Sequence, residues 1–95
     1  NPIEAVQDAD VVYTDVWTSM GDEGEEKKRM KDFEDFQINP ALTKLSKKDY
    51  IFMHCLPAHI GEEVTKEVIE SPNSTVYSQA ENKQYTAMAI IDLFL

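Results

Sequence analysis

The sequence predicts an α/β fold in which about three strands of a partial doubly wound parallel sheet are flanked by helices. Two observations predict it. Short apolar runs of β-branched and aromatic residues recur along the 95-residue chain, and segments with helical spacing of apolar residues separate them. Strands that alternate with helices are joined by right-handed crossovers, which make the strands parallel and place helices on the faces of the sheet.

The first helix and the first strand are predicted from the opening residues. Asn1 followed by Pro2 is typical of an N-cap with proline in the first turn, so a short helix is expected at residues 3–8. The run Val11–Thr14 lacks polar alternation, as strands buried on both faces of a parallel sheet do. It is therefore predicted to be the first strand.

The middle of the chain is predicted to hold two helices and the second strand. Residues 22–36 have apolar side chains at helical spacing, and acidic residues lead while basic residues follow, which suits the helix dipole. A second Asn-Pro pair at residues 39–40 predicts a helix to about residue 45. An apolar run at residues 50–54 predicts the second strand.

The last third is predicted to contain a helix at residues 62–70, a strand at 74–77 and a helix at 80–95. This final helix is apolar around much of its circumference, so we expect it to pack against more than one neighbour and to expose apolar surface in isolation. Three strands amount to about half of a doubly wound, Rossmann-like sheet. The 95 residues are therefore expected to be one unit of a larger domain.

Composition and charge exclude several classes of partner. The formal net charge is −9 and there is no stripe of basic residues, so nucleic acid is not an expected partner. No stretch reaches the roughly 18 consecutive apolar residues of a membrane span. The single cysteine, Cys55, cannot form an internal disulfide, which suits a reducing compartment. A cytoplasmic protein is the expectation.

Functional side chains follow the first strand, where ligands bind in open parallel sheets. Asp15 is suited to a ligand ammonium group, while Ser19 and the backbone around Met20 and Gly21 are suited to a carboxylate at the start of the next helix. Together they would hold a zwitterionic amino acid. In the alternative interpretation Asp15 caps a loop and Ser19 caps a helix.

The second strand ends on His54 and Cys55, two groups able to exchange protons near neutral pH. The alternative is that Cys55 is an inert buried residue and His54 a half-buried ring with its hydrogen bonds satisfied. A metal site formed with His59, Glu62 and Glu63 is not expected. The spacing matches no metal motif, and His54 and Cys55 would point to opposite faces of the strand.

Three motifs stand at the strand ends: Asp-x-x-x-Ser-Met-Gly at residues 15–21, Met-His-Cys-Leu-Pro at 53–57, and Ala-Glu-Asn at 80–82. In order and separation they closely resemble those of ornithine carbamoyltransferases. The first two motifs together are far more specific than either alone, and the resemblance extends over essentially the whole chain. It implies the C-terminal, ornithine-binding domain of that family.

The resemblance implies roles for the residues after the first two strands. It places Asp15, Ser19 and Met20 at the site of L-ornithine. It places Cys55 where the family has the group that receives the proton of the δ-ammonium, with His54 tuning the thiol. The implied catalytic residues are therefore Cys55, His54 and Asp15.

The resemblance also implies contacts to carbamoyl phosphate. Cys55 and Leu56 would touch it through backbone carbonyls, and Lys83 would bind it where the family usually has arginine. Lys83 keeps the positive charge but lacks the planar donor fork. Glu63 is a candidate for the proton network, whereas Ile60, which stands where relatives often have arginine, is given no role.

The implied reaction joins the carbamoyl group of carbamoyl phosphate to the δ-amine of ornithine and gives citrulline and phosphate, without a cofactor or metal. Such enzymes belong to arginine metabolism, including the urea cycle, and are commonly homotrimers. The Ser-Thr-Arg-Thr phosphate motif of their N-terminal domain does not occur in these residues. The chain alone is therefore expected to be inactive.

Two alternatives stand beside this hypothesis. One is a carbamoyltransferase for a related amine, such as putrescine or N-acetylornithine; the intact motif at residues 19–21 favours an unmodified α-amino acid instead. The other is a non-catalytic paralogue that retains the fold and the amino-acid pocket.

Overall fold

A computed structural model describes residues 1–18 and 23–95 of the chain. The elements and their bounds, in chain order, are α1 (Pro2–Val6), β1 (Val11–Thr14), α2 (Glu26–Phe33), α3 (Pro40–Thr43), β2 (Ile51–His54), α4 (Lys66–Ile69) and α5 (Val76–Phe94). Short 3₁₀ turns at Glu23–Glu25 and Glu34–Phe36 flank α2. The α/β class predicted from the sequence is confirmed.

The sheet is a parallel pair. β1 and β2 are in register from Val11 opposite Ile51 to Thr14 opposite His54. Parallel neighbours require a crossover connection, which here contains α2 and α3. Because the strands run in the same direction, their carboxyl ends lie at one edge of the sheet, and the loops that follow them meet there.

The predicted third strand at residues 74–77 is wrong. The Phe52 N–H donates to the Asn73 carbonyl at 2.8 Å and the Thr75 N–H donates to the Phe52 carbonyl at 2.9 Å, but pairing ends with a single bridge at Ser74. Helix α5 starts at Val76, four residues before the predicted start at residue 80. Helix formation is cooperative, so the long run of helix-forming residues further on draws the β-branched start of this segment into the helix.

Two predicted helices are much shorter than expected, and α1 and α3 each end about two residues before the predicted ends at residues 8 and 45. The helix predicted at residues 62–70 is reduced to α4, and Glu62 and Glu63 lie in a turn before it. The helix predicted at 22–36 is regular only over α2, where Arg29 forms an ion pair with Glu25 at 3.2 Å. In both segments the hydrophobic spacing identified helical turns but not where regular hydrogen bonding begins.

Both Asn-Pro pairs act as predicted. The Asn1 side-chain oxygen accepts the Ile3 N–H at 3.0 Å, and the Asn39 side-chain oxygen accepts the Leu42 N–H at 3.0 Å. Each cap satisfies a backbone donor that has no partner within its helix. α1 and α3 therefore begin where the sequence indicates.

A small apolar core lies between the strand pair and the helices. Phe52 on β2 and Val64, in the segment between β2 and α4, are fully buried, and Val76 anchors the first turn of α5. The remaining buried apolar residues are Val6, Val12, Ile38, Leu42, Tyr50 and Val68. This core fixes β2, which ends at His54 and leads into Cys55.

The second half of α5 exposes apolar side chains, as the sequence predicts for the isolated chain. Those at least half exposed are Tyr85, Met88, Ile90, Ile91, Leu93, Phe94 and Leu95.

In the part of the chain that the structure describes, no helix is both long and apolar enough to cross a lipid bilayer.

Candidate active site

The loops after β1 and β2 bring Asp15 and Cys55 into contact. The Cys55 thiol donates to Asp15 Oδ1 across 3.0 Å, although the two residues are 40 positions apart in sequence. The same oxygen accepts the Val16 N–H at 2.7 Å, which fixes the carboxylate relative to its own backbone. Asp15 is exposed and Cys55 is half-buried, so the pair lies at the surface rather than in the core.

This contact shifts both titrations in opposite directions. The hydrogen bond from the Cys55 thiol, followed by that from the Val16 N–H, lowers the pKa of Asp15. The hydrogen bond to Asp15, followed by burial and the charge of Asp15, raises the pKa of the Cys55 thiol. Both shifts favour a carboxylate at Asp15 and a protonated thiol at Cys55.

The His54 ring is fully buried behind this pair. Its Nδ1 accepts the Leu56 N–H at 2.8 Å, so the ring hydrogen lies on Nε2, which is 2.8 Å from Glu63 Oε1. The tautomer follows from this hydrogen-bond pattern. His54 is thus a satisfied ring, as the alternative interpretation expected, but it is completely rather than half buried.

Glu63 connects the His54 ring to the loop that follows. Its side chain is completely buried, and Oε1 also accepts the His59 N–H at 2.8 Å. A buried carboxylate needs such donors because burial removes its hydration. The predicted proton network depends on this contact between Glu63 and His54. Glu63 makes the contact from a turn, whereas the sequence predicted it to lie in a helix.

Leu56 and Lys83 lie at the same edge of the sheet as Asp15 and Cys55. Leu56 has a positive φ of 58°, a conformation that is costly for a residue with a side chain and occurs often at functional sites. Lys83 on α5 donates to the Cys55 carbonyl at 3.0 Å. The structure therefore gathers Asp15, His54, Cys55, Leu56 and Lys83 at one edge of the sheet.

The predicted ornithine residues Ser19 and Met20 lie outside the described residues. The backbone just before them is held by α2, since Arg29 donates to the Trp17 carbonyl at 3.1 Å and the rings of Trp17 and Phe33 lie 6.2 Å apart. Helix α2 therefore fixes the backbone at Trp17.

Sequence reasoning missed Gln79. This half-buried residue accepts the His54 N–H through Oε1 at 3.0 Å and donates through Nε2 to the Tyr13 hydroxyl at 3.2 Å. The signal available in the sequence was its position one helical turn before Lys83, on the same face of α5. The incorrectly predicted third strand left Gln79 outside a helix, so its alignment with Lys83 on one helical face was not apparent.

A group of possible metal ligands lies beside the site. His59, Glu62 and Glu63 each offer one ligand atom within 4.8 Å of the others. His54 and Cys55 do not belong to this group. His59 Nδ1 lies 3.2 Å from Glu62 Oε2, and Glu63 Oε1 accepts two hydrogen bonds.

The raised pKa of Cys55 predicts the pH dependence of its reactivity. Because thiolate is the reactive form, we expect alkylation by iodoacetamide to reach half its limiting rate at a pH above that of an ordinary cysteine. Asp15→Ala removes the largest cause of the shift, so the midpoint should fall. Mass spectrometry of the single cysteine at a series of pH values measures it. Asp10→Ala is the control, and an unchanged midpoint in Asp15→Ala would contradict the geometry.

Parallel strands with polar side chains gathered at their carboxyl ends define an α/β domain of the Rossmann-like class, which binds ligands at that edge. The family model described as aspartate/ornithine carbamoyltransferase, Asp/Orn binding domain, matches residues 1–94. The chain belongs to this family.

Individual relatives agree with this assignment. The chain is 58% identical over 95 residues to the ornithine carbamoyltransferase of Thermococcus kodakarensis, covering all of this chain and 30% of that protein. It superposes on the ornithine carbamoyltransferase of Pyrococcus furiosus with a TM-score of 0.88 and 59% identity, covering 95% of this chain and 29% of that one. The chain therefore spans about 30% of the length of the relatives it matches.

An acetylornithine transcarbamylase complexed with acetylcitrulline is less similar. It gives a TM-score of 0.79 and 29% identity, covering 96% of this chain and 28% of that chain. The shared fold thus extends to an enzyme named for a modified amino acid, while sequence identity is higher for those named for ornithine.

Proposed function

We propose that this chain is part of the ornithine-binding domain of an ornithine carbamoyltransferase. The full-length protein would transfer the carbamoyl group of carbamoyl phosphate to the δ-amine of L-ornithine and release citrulline and phosphate. The observation that carries the proposal is the contact of Asp15 with Cys55 at the strand ends, in a chain 58% identical to an enzyme of that name.

The charges at this contact support a role in activating an amine. A δ-ammonium resembles that of lysine and is almost entirely protonated at neutral pH, whereas only the neutral amine can attack a carbonyl. Asp15 offers an exposed carboxylate to the ammonium group, and Cys55 lies within hydrogen-bond distance of the same carboxylate. The ammonium and the thiol would therefore meet at Asp15.

The bound amine would also change the thiol. The hydrogen bond to the Asp15 carboxylate raises the pKa of the Cys55 thiol, which favours its protonated form. A cation bound at Asp15 offsets that negative charge and favours the thiolate. The thiol proton would pass to solvent. The Cys55 thiolate would then accept one proton of the δ-ammonium, and the resulting neutral amine would attack the carbamoyl carbon as its bond to the phosphate oxygen breaks. The leaving phosphate would take up the second proton that the nitrogen loses.

Other groups at the same edge suit the second substrate. Lys83 places an exposed cation 3.0 Å from the Cys55 carbonyl, where the family resemblance expects the anionic carbamoyl phosphate. Leu56 presents its backbone beside it in the left-handed conformation. Charge attraction by Lys83 and backbone contacts from Cys55 and Leu56 would align the carbamoyl group with the amine.

The rest of the protein would supply the missing half of the site. We assign the carbamoyl-phosphate domain to the part of the relatives' length that these 95 residues do not span. By the same resemblance, the full-length protein would be a cytoplasmic homotrimer that acts in arginine metabolism, and Ser19 and Met20 would complete the ornithine site.

The test is a transfer assay on the full-length protein with carbamoyl phosphate and, in parallel, L-ornithine, putrescine and N-acetylornithine. We expect turnover with ornithine and at least about 100-fold lower kcat/KM for the other two, because a site built for charged groups discriminates strongly against their loss. Preferential turnover of another amine would replace ornithine as the substrate. No turnover with any amine would leave a non-catalytic paralogue. Lys83→Arg is assayed in parallel and tests whether lysine, in place of the family's usual arginine, limits the rate.

A further inference from the structure

Gln79 occupies the place that a third strand would have beside the end of β2. Phe52 pairs with backbone groups of residues 73 and 75, so the next donor on that edge of the strand is the His54 N–H. Because α5 has already begun at Val76, no strand continues beside it. The Gln79 side-chain oxygen accepts that N–H at 3.0 Å in place of a backbone carbonyl.

Gln79 and Lys83 bind backbone groups of two successive residues, His54 and Cys55. They lie four residues apart on α5 and therefore share one helical face. Gln79 binds the His54 N–H and Lys83 binds the Cys55 carbonyl at 3.0 Å. On the edge of β2 that faces away from β1, the backbone that presents the thiol is thus fixed by side chains of the helix.

The other end of the Gln79 amide reaches β1. Its Nε2 donates to the Tyr13 hydroxyl at 3.2 Å, two residues before Asp15. A single side chain therefore spans the carboxyl ends of both strands, whose loops carry the two partners of the contact between Cys55 and Asp15.

We propose that Gln79 is a positioning residue for carbamoyl transfer, which fixes the backbone of His54 and Cys55 so that the thiol meets Asp15. The inference rests on the proposed function. Val76, which is 1% exposed, already anchors the start of α5 in the core, so the helix does not depend on Gln79 to stay on the sheet. The amide of Gln79 acts on the geometry of the strand ends.

The experiment uses four variants of the full-length protein. Gln79→Met keeps the length and removes the amide, while Gln79→Glu keeps an oxygen for the His54 N–H. Tyr13→Phe removes only the second contact, and Gln84→Met is the matched control on an exposed position of the same helix. Gln79→Asn keeps the amide but is too short to reach His54, and replaces the methionine variant if that variant does not fold.

We expect Gln79→Met to lower kcat about tenfold with KM for ornithine within about twofold, since a misplaced reacting group affects the chemical step. Gln79→Glu should recover most of that loss, and Gln84→Met should match the wild type. Tyr13→Phe should lower kcat less than Gln79→Met does. A purely structural role would lower thermal stability without this division between kcat and KM.

The rate of Cys55 alkylation by iodoacetamide gives a readout that needs no turnover. We expect it to change at least about threefold in Gln79→Met and to stay unchanged in Gln84→Met, because the surroundings of the thiol set its reactivity. Wild-type values of both kcat and alkylation rate in Gln79→Met would overturn the inference, as would a Gln79→Glu variant as impaired as Gln79→Met. If the wild type transfers no carbamoyl group to ornithine, the proposed function fails and the alkylation rates alone decide the role of Gln79.

Discussion

Asp15→Ala in the full-length protein is expected to lower kcat/KM for L-ornithine by about 10³-fold, within the range that general acid–base catalysis contributes, because Asp15 would hold both the ammonium group and the thiol that accepts its proton. The variant removes both the exposed carboxylate that would bind the ammonium group and the acceptor that holds the Cys55 thiol at 3.0 Å. Its effect should therefore exceed that of losing either contact alone. Steady-state citrulline formation over a range of ornithine concentrations measures it.

A second variant and a control separate charge from folding. Asp15→Asn keeps an oxygen for the thiol and loses the negative charge, so we expect a loss between those of the wild type and Asp15→Ala. Asp10→Ala removes an exposed aspartate at the other end of β1, whose partner is Lys47 at 2.7 Å. It should retain activity within about twofold, as surface ion pairs contribute little. Equal losses in Asp10→Ala and Asp15→Ala would show that Asp15 has no special role.

The fold was predictable where local chemistry decides it. The two Asn-Pro pairs specify helix starts because the asparagine side chain supplies an acceptor and proline suits the first turn. The run Val11–Thr14 specifies a strand because β-branched and aromatic side chains favour strands. The predicted burial on both faces is wrong, since Val11 and Tyr13 are about half exposed. These signals act within a few residues, so tertiary structure did not need to be known.

The segment at residues 74–77 was not predictable in the same way. Its Val76 and Tyr77 favour strands by propensity, yet Val76 fills the core from the first turn of α5. Only the position of β2 and the length of the following helix decide that outcome, and both are properties of the tertiary structure. The shortened helix before residue 70 has a related origin, because Glu63 leaves the helical pattern to reach the buried His54 ring.

Part of the site was predictable from one rule. Residues that follow parallel strands meet at the carboxyl edge, so Asp15 and Cys55 were expected near each other. The direction of their hydrogen bond was not predicted. The thiol donates to the carboxylate, and this contact raises the pKa of Cys55 instead of lowering it. The contact of Gln79 with His54 could not be found while residues 74–77 were placed in a strand.

Glu63→Ala is expected to lower the free energy of unfolding by about 3 kcal/mol. The change leaves the His54 Nε2–H and the His59 N–H without the oxygen that accepts both at 2.8 Å, and each buried polar group left unpaired costs roughly 1–3 kcal/mol. Urea unfolding of the chain, followed by the fluorescence of its single tryptophan, Trp17, measures the loss.

Two further variants show whether the loss comes from these hydrogen bonds. Glu63→Gln keeps an oxygen for both donors, so its cost should be less than half that of Glu63→Ala. Glu62→Ala is the matched control: this neighbouring carboxylate lies 3.2 Å from the exposed His59 ring, and its removal should cost at most about 1 kcal/mol. A Glu63→Ala variant no less stable than Glu62→Ala would mean that the buried carboxylate does not hold His54 in place. The thiol of Cys55 would then owe its position to Asp15 and to the residues of α5 alone.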